Sequence, residues 1–354
     1  MTVMPLYQQA IRKIQDGKSL KESESERLIA AILGRQINEI QVAALLAGLA
    51  VKGEVSSEIT GFARGMRRVA VALDHRQEGL VDTAGTGGDG TGTFNISTTA
   101  AFVIAGAGVP VAKHGNRAIS GKCGSADVLA QLGVRIDAPQ EVLQHCLETC
   151  GITFLFAPVF HQAMKVVASL RRDLAIRTIF NLLGPLLNPA GARRQIIGVF
   201  APHLTEVFAQ VLKSLGCEHA LIFSGEDGLD EISIASSTRV TELKQGAIRT
   251  DTLHPRDLGF RSHSLDQVKG GDASQNARVL RGILEGDGSE AQRDIVLLNA
   301  AAGVYVSGRT DSLQASVEVA RQSLDQKWAL AKLDGLVEYS NRPSAVIASD
   351  QVPD

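Results

Sequence analysis

A glycine-rich run between residues 82 and 98 holds the densest set of residues in this sequence that could do chemistry. Five glycines fall within eight positions, at Gly85, Gly87, Gly88, Gly90 and Gly92. Glycine has no Cβ atom, so its backbone can turn sharply and bring bare N–H groups against a ligand. Asn95, Ser97 and Thr98 follow where an apolar, helix-like segment begins, and helix N-termini attract anions. Simple turn glycines would not need this density, so the run predicts a phosphate site for a small phosphorylated molecule.

Two nucleotide-binding patterns lie in this part of the sequence, and both fail on their surroundings. Gly85, Gly87 and Gly90 satisfy G-x-G-x-x-G, but a dinucleotide site opens its helix at the last glycine and carries an acidic residue about 20 positions later. Here the helix is expected only near Ser97, and the next apolar run leads into basic residues. The segment from 115 to 123 resembles a P-loop, but it has one residue too many and Cys123 in place of the metal-binding hydroxyl. A dinucleotide site is therefore disfavoured, and an ATPase is rejected.

A second segment with basic residues and glycines follows the apolar run Val109–Ala112. Lys113 and Arg117 lie in one predicted loop, where they would supply mobile positive charge for phosphate oxygens. Small or donor-bearing residues surround them, at Gly115, Gly121, Gly124 and Ser125. The alternative is a solvated basic loop. We interpret the segment as the second half of the phosphate site, because a phosphate together with a diphosphate leaving group would need two such loops.

Asp230 and Glu231 form an acidic pair that could hold a metal ion. Adjacent side chains on a strand point to opposite faces, so these two carboxylates must lie on a loop if they act together. The preceding Asp227-Gly228 is a turn signal. Paired carboxylates suit Mg²⁺, which fills its remaining positions with water and substrate phosphate. Two exposed turn acids are an equally open interpretation at this point.

Other charged residues have less specific surroundings. Asp82 and Asp89 flank the first glycines and could bind a metal ion or ribose hydroxyls. Arg171 and Arg172 follow a helical stretch and are most simply a solvated face. One of the two arginines could instead hold a substrate carboxylate, because a guanidinium matches a carboxylate with two parallel hydrogen bonds.

The composition excludes several classes of protein. The chain has 354 residues, of which 44% are hydrophobic, and a formal net charge of −2. The hydrophobic content suffices for a large core, and the lack of a basic excess argues against nucleic acid or membrane surfaces as partners. Four cysteines do not make a disulfide scaffold in such a chain, and the first ten residues lack signal-peptide features, so we expect a cytoplasmic protein. The longest apolar stretch, Ala100–Ala112, is too short to span a membrane.

The apolar pattern divides the chain into two parts. Residues 1–72 predict a helical domain of four short helices, the third beginning with a capping box of Asn38 and Gln41. Residues 73–354 predict an α/β domain with a mainly parallel central sheet, closed by two helices within Asp294–Leu333. The expected strands are Leu80–Ala84, Val109–Ala112, Ile152–Phe156, Ile196–Phe200 and Ala220–Phe223. Ligands of such sheets bind at the carboxyl ends of the strands, so both glycine-containing loops should line one crevice.

Taken together, these motifs identify a family. The chain resembles the anthranilate phosphoribosyltransferases over nearly its whole length, in six ordered segments: Gly85–Gly90, Phe94–Thr98, Lys113–Arg117, Gly124–Asp127, Arg177–Pro189 and Asp227–Ile232. The resemblance implies a small helical domain, joined in space by helices from about 158–188 and hinged to a larger α/β domain. This architecture is shared with pyrimidine nucleoside phosphorylases. It also implies a homodimer that contacts through the helical domains.

The resemblance further implies an activity and a set of site residues. The family transfers phosphoribose from phosphoribosyl pyrophosphate (PRPP) to the amino group of anthranilate and releases pyrophosphate. By position, PRPP binding is assigned to Gly85, Gly88, Asp89, Thr93, Asn95, Ile96, Ser97, Thr98, Lys113, His114, Gly115, Asn116, Arg117 and Ser125. Anthranilate binding is assigned to Gly85, His114, Asn116, Arg171 and Pro185. Two magnesium ions with PRPP are implied, with the ligands Ser97, Asp230 and Glu231. The catalytic set comprises Arg171, Lys113, Asp230 and Glu231.

Two departures from the family pattern and two alternative functions accompany this assignment. Ala175 stands where the family usually has glycine, and Cys123 where a serine is more common; Ala175 could stiffen its segment or shift Arg171. A nucleoside phosphorylase would use phosphate and a nucleoside and would need no magnesium at paired carboxylates. A non-catalytic, nucleic-acid-binding relative would have a basic surface and eroded substrate motifs. The slightly acidic chain and its complete motifs argue against both.

Overall fold

The N-terminal part of the chain folds as four helices, as the sequence predicts. In the computed structural model, which describes residues 3–118 and 122–344, they are α1 (Val3–Gln15), α2 (Glu22–Leu33), α3 (Glu39–Lys52) and α4 (Ser56–Val69). The Asn38 side chain accepts a hydrogen bond from the Gln41 backbone N–H at 2.9 Å, and the Gln41 side chain accepts one from the Asn38 N–H at 3.1 Å. The predicted capping box at the start of α3 is therefore confirmed, and it satisfies two groups that a helix end leaves unpaired.

A seven-stranded sheet lies at the centre of the rest of the described chain. Its strands are β1 (Val81–Gly85), β2 (Val111–Gly115), β3 (Ile152–Phe156), β4 (Arg194–Gly198), β5 (His219–Gly225), β6 (Thr238–Lys244) and β7 (Ala247–Leu253). Their order across the sheet is β3-β2-β1-β4-β5-β6-β7. The first five strands are parallel, and β6 and β7 are antiparallel. The prediction of a mainly parallel sheet is confirmed.

Helices connect and cover these strands. They are α5 (Ile96–Gly106), α6 (Ser125–Gln131), α7 (Gln140–Cys150), α8 (Ala157–Phe160), α9 (Ala168–Leu174), α10 (Phe180–Leu183), α11 (Leu204–Ser214), α12 (Ala273–Glu285), α13 (Glu290–Val306), α14 (Leu313–Asp325) and α15 (Trp328–Ser340). Short 3₁₀ helices occur at Gln162–Val167, Gly184–Leu186, Pro255–Leu258 and Leu265–Val268. No helix within the described ranges combines the length and the apolar character needed to cross a bilayer.

One sequence prediction about elements was wrong, and one pair of strands was not predicted. The chain closes with α13, α14 and α15 rather than with two helices, because Lys327 takes a left-handed φ of 58° and separates the last two. The hairpin of β6 and β7 was not predicted. Gln245 and Gly246 connect its strands with φ values of 51° and 81°, as a tight two-residue turn requires. The residues of β7 are mostly exposed, so the strand lacks the apolar run that marks a central strand.

Strand β2 extends further than the sequence indicates, which changes the setting of two site residues. Lys113 pairs with Phe154 and His114 with Leu155 in the parallel register of β2 and β3. Both residues are therefore part of the sheet, whereas the sequence predicted that they lie in a loop. Their backbones are fixed by the ladder, and the loop that follows β2 begins only after Gly115.

The central strands are covered on both faces, as parallel strands require. Ile196 packs in the apolar cluster that includes α5 and α13, whereas the next residue, Ile197, packs in the cluster that includes α11 and the N-terminal helices. The second cluster also contains Phe180 of α10, whose ring lies edge-on to Phe62 of α4 with centroids 6.2 Å apart. The segment after β3 thus contacts the N-terminal helices. The position of the domain boundary, between residues 72 and 73, stays a prediction.

Candidate active site

The carboxyl ends of three parallel strands bring the predicted phosphate loops and the acidic pair together. The glycine-rich run follows β1, Lys113 and His114 end β2, and Asp230 and Glu231 lie in the loop after β5. The Gly87 N–H donates to Asp230 Oδ2 at 2.8 Å, and the Ser97 N–H donates to Glu231 Oε1 at 3.0 Å. Segments more than 130 positions apart in sequence therefore form one site, because strand β4 alone separates β1 from β5.

Glycine is required where the glycine-rich run and the acidic loop approach each other. Gly87, Gly88, Gly90 and Gly92 have φ values between 65° and 75°, in the left-handed region that disfavours side chains. A Cβ atom on Gly198 at the end of β4 would lie 1.6 Å from the Asp230 carbonyl oxygen. The acidic loop can therefore lie directly over the strand end only because Gly198 carries no side chain.

The Asp230 and Glu231 carboxylates are strongly perturbed. Burial, followed by the charge of Asp89, raises the pKa of Asp230 to about 7. Burial, followed by the charge of Asp230, raises the pKa of Glu231 to about 8. Both residues are partly exposed, and adjacent carboxylates repel each other unless a cation lies between them. With the Ser97 hydroxyl they form an all-oxygen donor set, which fits a hard divalent cation such as Mg²⁺.

Lys113 supplies a fixed positive charge beneath this pair. It is only 4% exposed, and its Nζ donates to the carbonyl oxygen and to Oγ1 of Thr83, the latter at 3.1 Å, and reaches Ser97 Oγ at 3.5 Å. Burial lowers the pKa of Lys113, against the opposing effect of the nearby carboxylates. The expectation of a mobile loop charge was wrong, because this lysine is anchored within the sheet.

Asp82 is not a ligand-facing residue. Its side chain is fully buried, and Oδ1 accepts the His114 backbone N–H at 3.0 Å. Burial raises the pKa of Asp82 to about 6. The suggestion that Asp82 binds metal or ribose fails for this reason, since the carboxylate lies below the site and joins β1 to β2.

The segment after β2 holds the remaining predicted donors. Asn116 and Arg117 are exposed, and the Arg117 guanidinium pairs with Asp127 at 2.8 Å, so its charge is already matched by a carboxylate. Ser125 opens α6, and its hydroxyl donates to the Asn116 carbonyl at 3.3 Å. Gly121 lies outside the described residues. Gly115 and Ser125 touch closely, since a Cβ on Gly115 would lie 2.2 Å from Ser125 Oγ.

The start of α5 presents different groups to the site. Asn95 and Ser97 are partly exposed, whereas the side chains of Ile96 and Thr98 are each 1% exposed and pack into the core. Only the backbones of the latter two can meet a ligand. The Asn95 side chain is oriented by Asn276, whose Nδ2 donates a hydrogen bond to Asn95 Oδ1 at 2.9 Å.

Three contacts to the glycine-rich run were missed by sequence reasoning. The Arg177 guanidinium stacks on the Phe200 ring at 4.2 Å and donates to the Gly88 carbonyl. Lys269 donates from Nζ to the Thr91 carbonyl at 2.6 Å and forms an isolated bridge with Thr93. Arg177 is the first residue of one of the six segments that resemble the family, and this was the one sequence feature that pointed to a role for it. Nothing in the sequence near Lys269 indicated a contact 178 positions away.

The predicted acceptor residues are less tightly held. Arg171 lies on α9, partly buried, with its guanidinium 5.4 Å from the centre of the Phe180 ring, and burial lowers its pKa. Its neighbour Arg172 is exposed. Pro185 is buried, and its carbonyl accepts a hydrogen bond from Gln195 Nε2 at 2.9 Å.

Two buried histidines lie side by side next to this region. The rings of His114 and His161 are edge-to-face with centroids 5.1 Å apart, and His114 Nδ1 donates to the Gly184 carbonyl at 3.1 Å. His114 Nε2 and both ring nitrogens of His161 have no hydrogen-bond partner among the described residues. Burial is the main cause that lowers the pKa of His114 to about 3 and that of His161 to about 4.

The comparisons with known proteins match both parts of the chain to one family. Residues 77–330 match the α/β domain of a glycosyl transferase family, and residues 8–70 match the helical bundle domain of that family. The anthranilate phosphoribosyltransferase of Moorella thermoacetica is 49% identical over 93% of this chain and 97% of its own length. That of Pelotomaculum thermopropionicum is 47% identical over 96% of this chain and 98% of its own.

Solved structures of anthranilate phosphoribosyltransferases are also similar to this chain over most of its length. Anthranilate phosphoribosyltransferase from Thermus thermophilus superposes with a TM-score of 0.89 at 41% identity, covering 94% of this chain and 99% of that one. The Saccharomyces cerevisiae enzyme in complex with PRPP and Mg superposes with a TM-score of 0.86 at 26% identity, covering 94% and 97%. The matches to both family domains and the identity over nearly the whole chain show that the chain belongs to the anthranilate phosphoribosyltransferase family.

Proposed function

We propose that this chain transfers the phosphoribosyl group of PRPP to the amino group of anthranilate, giving N-(5-phosphoribosyl)anthranilate and pyrophosphate. This reaction is the second step of tryptophan biosynthesis from chorismate. The observation that carries the proposal is the joining of the glycine-rich run to the acidic loop through Gly87–Asp230 and Ser97–Glu231. That arrangement places anion-binding backbone next to oxygen ligands for a cation, which is what a diphosphate leaving group with magnesium needs.

Magnesium would be held by Ser97, Asp230 and Glu231. The structure of the yeast relative contains PRPP and Mg; we propose two ions here, because PRPP carries a diphosphate and a separate phosphate. When bound, magnesium neutralises negative charge on the departing pyrophosphate. The raised pKa values of Asp230 and Glu231 support this role, since a cation between the two carboxylates would relieve their repulsion.

The residues of the chain bind and orient PRPP. The backbone N–H groups around Gly85 and Gly88 and those at the start of α5 would bind the phosphates, and Asp89 and Thr93 offer side-chain oxygens in the same run. Lys113 contributes a charge that does not have to reorganise during the reaction, because its Nζ is fixed by Thr83. His114, Gly115, Asn116, Arg117 and Ser125 complete the PRPP set that we propose.

The acceptor is oriented on the other side of the sugar. Arg171 would pair with the anthranilate carboxylate, with Asn116, His114, Gly85 and Pro185 as further contacts. The aromatic amine is already a usable nucleophile, so no strong general base is required. Holding the two reactants in line contributes about 7–11 kcal/mol to lowering the barrier in well-oriented systems, and closure of the two domains would exclude water that could hydrolyse PRPP.

We also propose a cytoplasmic homodimer. Met4 on α1 and Ile40 and Val51 on α3 are exposed by 47%, 82% and 90%, which is unusual for apolar side chains on amphipathic helices. A second copy packed on this surface would bury them. The expectation of a reducing compartment is consistent with four free cysteines.

The proposed function is tested by mixing the purified protein with PRPP, magnesium and anthranilate and following the decay of anthranilate fluorescence. Decay that depends on magnesium is the expected result, and a magnesium-free reaction is the control. No decay, while calorimetry still detects PRPP binding, would contradict anthranilate as the acceptor and direct the search to other aromatic amines and nucleobases.

A further inference from the structure

A cavity of about 300 Å³ lies at the end of the sheet opposite the candidate active site. The end of α4, the loop that leads into β4 and the turn between α11 and β5 enclose it. We call it the arginine pocket, and the lining residues that matter here are Arg67, Arg193, Gln195, Leu215 and Cys217. Because β4 and β5 begin at Arg194 and His219, the pocket is next to the amino ends of the strands and separate from the PRPP site.

Arg67 is a partly buried cation without an anionic partner. Its Nε donates to the Leu186 carbonyl at 2.7 Å, and burial lowers its pKa. Among the residues that the structure describes, no carboxylate forms a salt bridge with Arg67, and its two terminal nitrogens make no hydrogen bond. These nitrogens are accessible from the cavity that Arg67 lines, and a guanidinium in such a partly desolvated place gains from an anion more than it would in open water. This arginine therefore favours an anion that enters the cavity.

The other lining residues leave room for one anionic group. Arg193 already pairs with Glu218 at 3.1 Å and donates from Nε to the Gly216 carbonyl at 3.1 Å. Gln195 is 1% exposed, and its Oε1 has no hydrogen-bond partner among the described residues, so this oxygen would accept from a donor on the ligand and not contact its anionic group. Leu215 adds an apolar wall. The uncompensated positive charge of the pocket is that of Arg67.

We propose that the arginine pocket binds a small organic anion, whose carboxylate or phosphate group pairs with the Arg67 guanidinium. A planar guanidinium binds either group through two parallel hydrogen bonds. A volume of about 300 Å³ is at the lower end for small-molecule sites, which indicates a metabolite and not a macromolecular segment. The site is distinct from the substrate sites proposed above.

The pocket is connected to the acceptor side through the 3₁₀ turn Gly184–Leu186. Arg67 holds the Leu186 carbonyl, and Gln195 holds the Pro185 carbonyl at 2.9 Å. On its other side the same turn accepts a hydrogen bond from His114 Nδ1 through the Gly184 carbonyl. An anion that draws Arg67 towards the cavity changes the support of this turn. Its effect on catalysis, which rests on the proposed function, is therefore expected first on anthranilate, since the turn carries Pro185.

Two fluorinated probes test the site and distinguish its chemistry. Trifluoroacetate represents carboxylates and monofluorophosphate represents phosphates, and ¹⁹F line broadening at constant ionic strength measures the binding of each to the full chain whose substrate sites are saturated with pyrophosphate, magnesium and anthranilate. Arg67→Gln removes the charge but keeps a donor for Leu186. Arg68→Gln is the matched control, because it removes a charge from the next residue, which is exposed and pairs with Glu26 at 2.9 Å.

Binding of either probe should weaken by about fivefold or more in Arg67→Gln and stay unchanged in Arg68→Gln. Arg67→Lys keeps the charge without the planar fork and should be intermediate; it carries the comparison if the glutamine variant does not fold. Stronger binding of one probe identifies the anion class. Equal binding to both glutamine variants, or no binding of either probe to the wild type, would overturn the proposal.

The connection to the acceptor side has its own measurement. In the wild type, the bound probe should change the KM for anthranilate by about twofold or more, and this change should vanish in Arg67→Gln. An unaltered anthranilate KM at saturating probe would overturn the coupling. Absence of transferase activity in the wild type would instead contradict the proposed function, because the binding comparison needs no turnover.

Discussion

The donor side and the acceptor side of the candidate site are held in different ways. On the donor side, charged groups are fixed by backbone: Asp230 accepts the Gly87 N–H, Glu231 accepts the Ser97 N–H, and Lys113 is anchored to Thr83. On the acceptor side, Arg171 has no salt bridge among the described residues, and both ring nitrogens of the neighbouring His161 are buried without partners.

The two sides therefore differ in how much of the site is fixed before its substrate binds. A diphosphate and its metal ions develop charge that is best met by dipoles already in place, because reorganisation during the reaction raises the barrier. An aromatic acceptor needs to enter, to be aligned and to leave, so its contacts can form late. The donor side therefore corresponds to a preorganised site, and the acceptor side to one that its substrate completes.

The strongest way to break the donor side is to neutralise the acidic pair. The double variant Asp230→Asn, Glu231→Gln should lower kcat by about 10³-fold, on the order of 4 kcal/mol, because the metal ligands lose their charge. Turnover measured over a range of magnesium concentrations checks this. Glu226→Gln, in the same loop but exposed, is the control and should keep normal kinetics. Unchanged turnover and magnesium dependence in the double variant would refute the metal assignment.

The acceptor side should respond to Arg171→Ala with a change confined to anthranilate. Loss of a charge-assisted pair with the carboxylate should raise the KM for anthranilate by about 100-fold, or about 3 kcal/mol, and leave the KM for PRPP unchanged. Steady-state kinetics with each substrate varied in turn make the measurement. The neighbouring Arg172 is exposed, so Arg172→Ala should behave as wild type. Equal losses for both substrates would contradict a carboxylate-binding role.

The sequence predicts the donor side better than the acceptor side, because the features of the donor side lie within short segments of the chain. Glycines with positive φ and an adjacent acidic pair are visible as short patterns, because one turn contains the whole feature. The strand order then follows from the parallel α/β pattern. The sequence did not predict where β2 ends. That end depends on the pairing of β2 with β3, and this pairing places Lys113 in the sheet.

The supports from distant parts of the chain could not be predicted. Arg177 and Lys269 reach the glycine-rich run from positions 89 and 178 residues away. No spacing rule relates such positions, because the contacts arise from tertiary packing. The acceptor side has the same difficulty throughout, since Arg171, His114 and Pro185 lie on separate elements, and only the family resemblance selected them.

Buried histidines give the acceptor side an acid sensitivity. Burial holds the pKa of His161 at about 4 against an ordinary value of 6.5, so the unfolded chain binds a proton that the folded chain does not. Stability should therefore fall as the pH drops below 6.5 towards 4. At pH 5 the loss from His161 alone is about 2 kcal/mol.

His161→Met removes this titration while keeping an apolar side chain of similar length. Its free energy of unfolding, from urea denaturation between pH 7 and 5, should fall less steeply than that of the wild type. His203 is exposed, so His203→Met should leave the slope unchanged. Parallel pH profiles for wild type and His161→Met would show that His161 does not cause the acid sensitivity.

The smallest expected effect concerns the backbone that carries Arg171. Ala175 ends α9 with φ 51° and ψ 24°, a left-handed conformation in which its Cβ is crowded, and its N–H donates only a long 3.4 Å hydrogen bond to the Arg171 carbonyl. Glycine has no such penalty, although it loses more entropy on folding. Ala175→Gly should therefore stabilise the protein by about 0.5–1 kcal/mol.

Ala168→Gly at the other end of the same helix is the matched control, and it should not stabilise the fold because Ala168 has φ −67° and ψ −42°. Thermal and urea unfolding of both variants measure the difference. If Ala175→Gly also raises the KM for anthranilate slightly, the strained alanine stiffens the acceptor side and partly preorganises Arg171. If Ala175→Gly destabilises the protein as much as Ala168→Gly does, Ala175 stores no strain, and the contrast between the two sides depends on side chains alone.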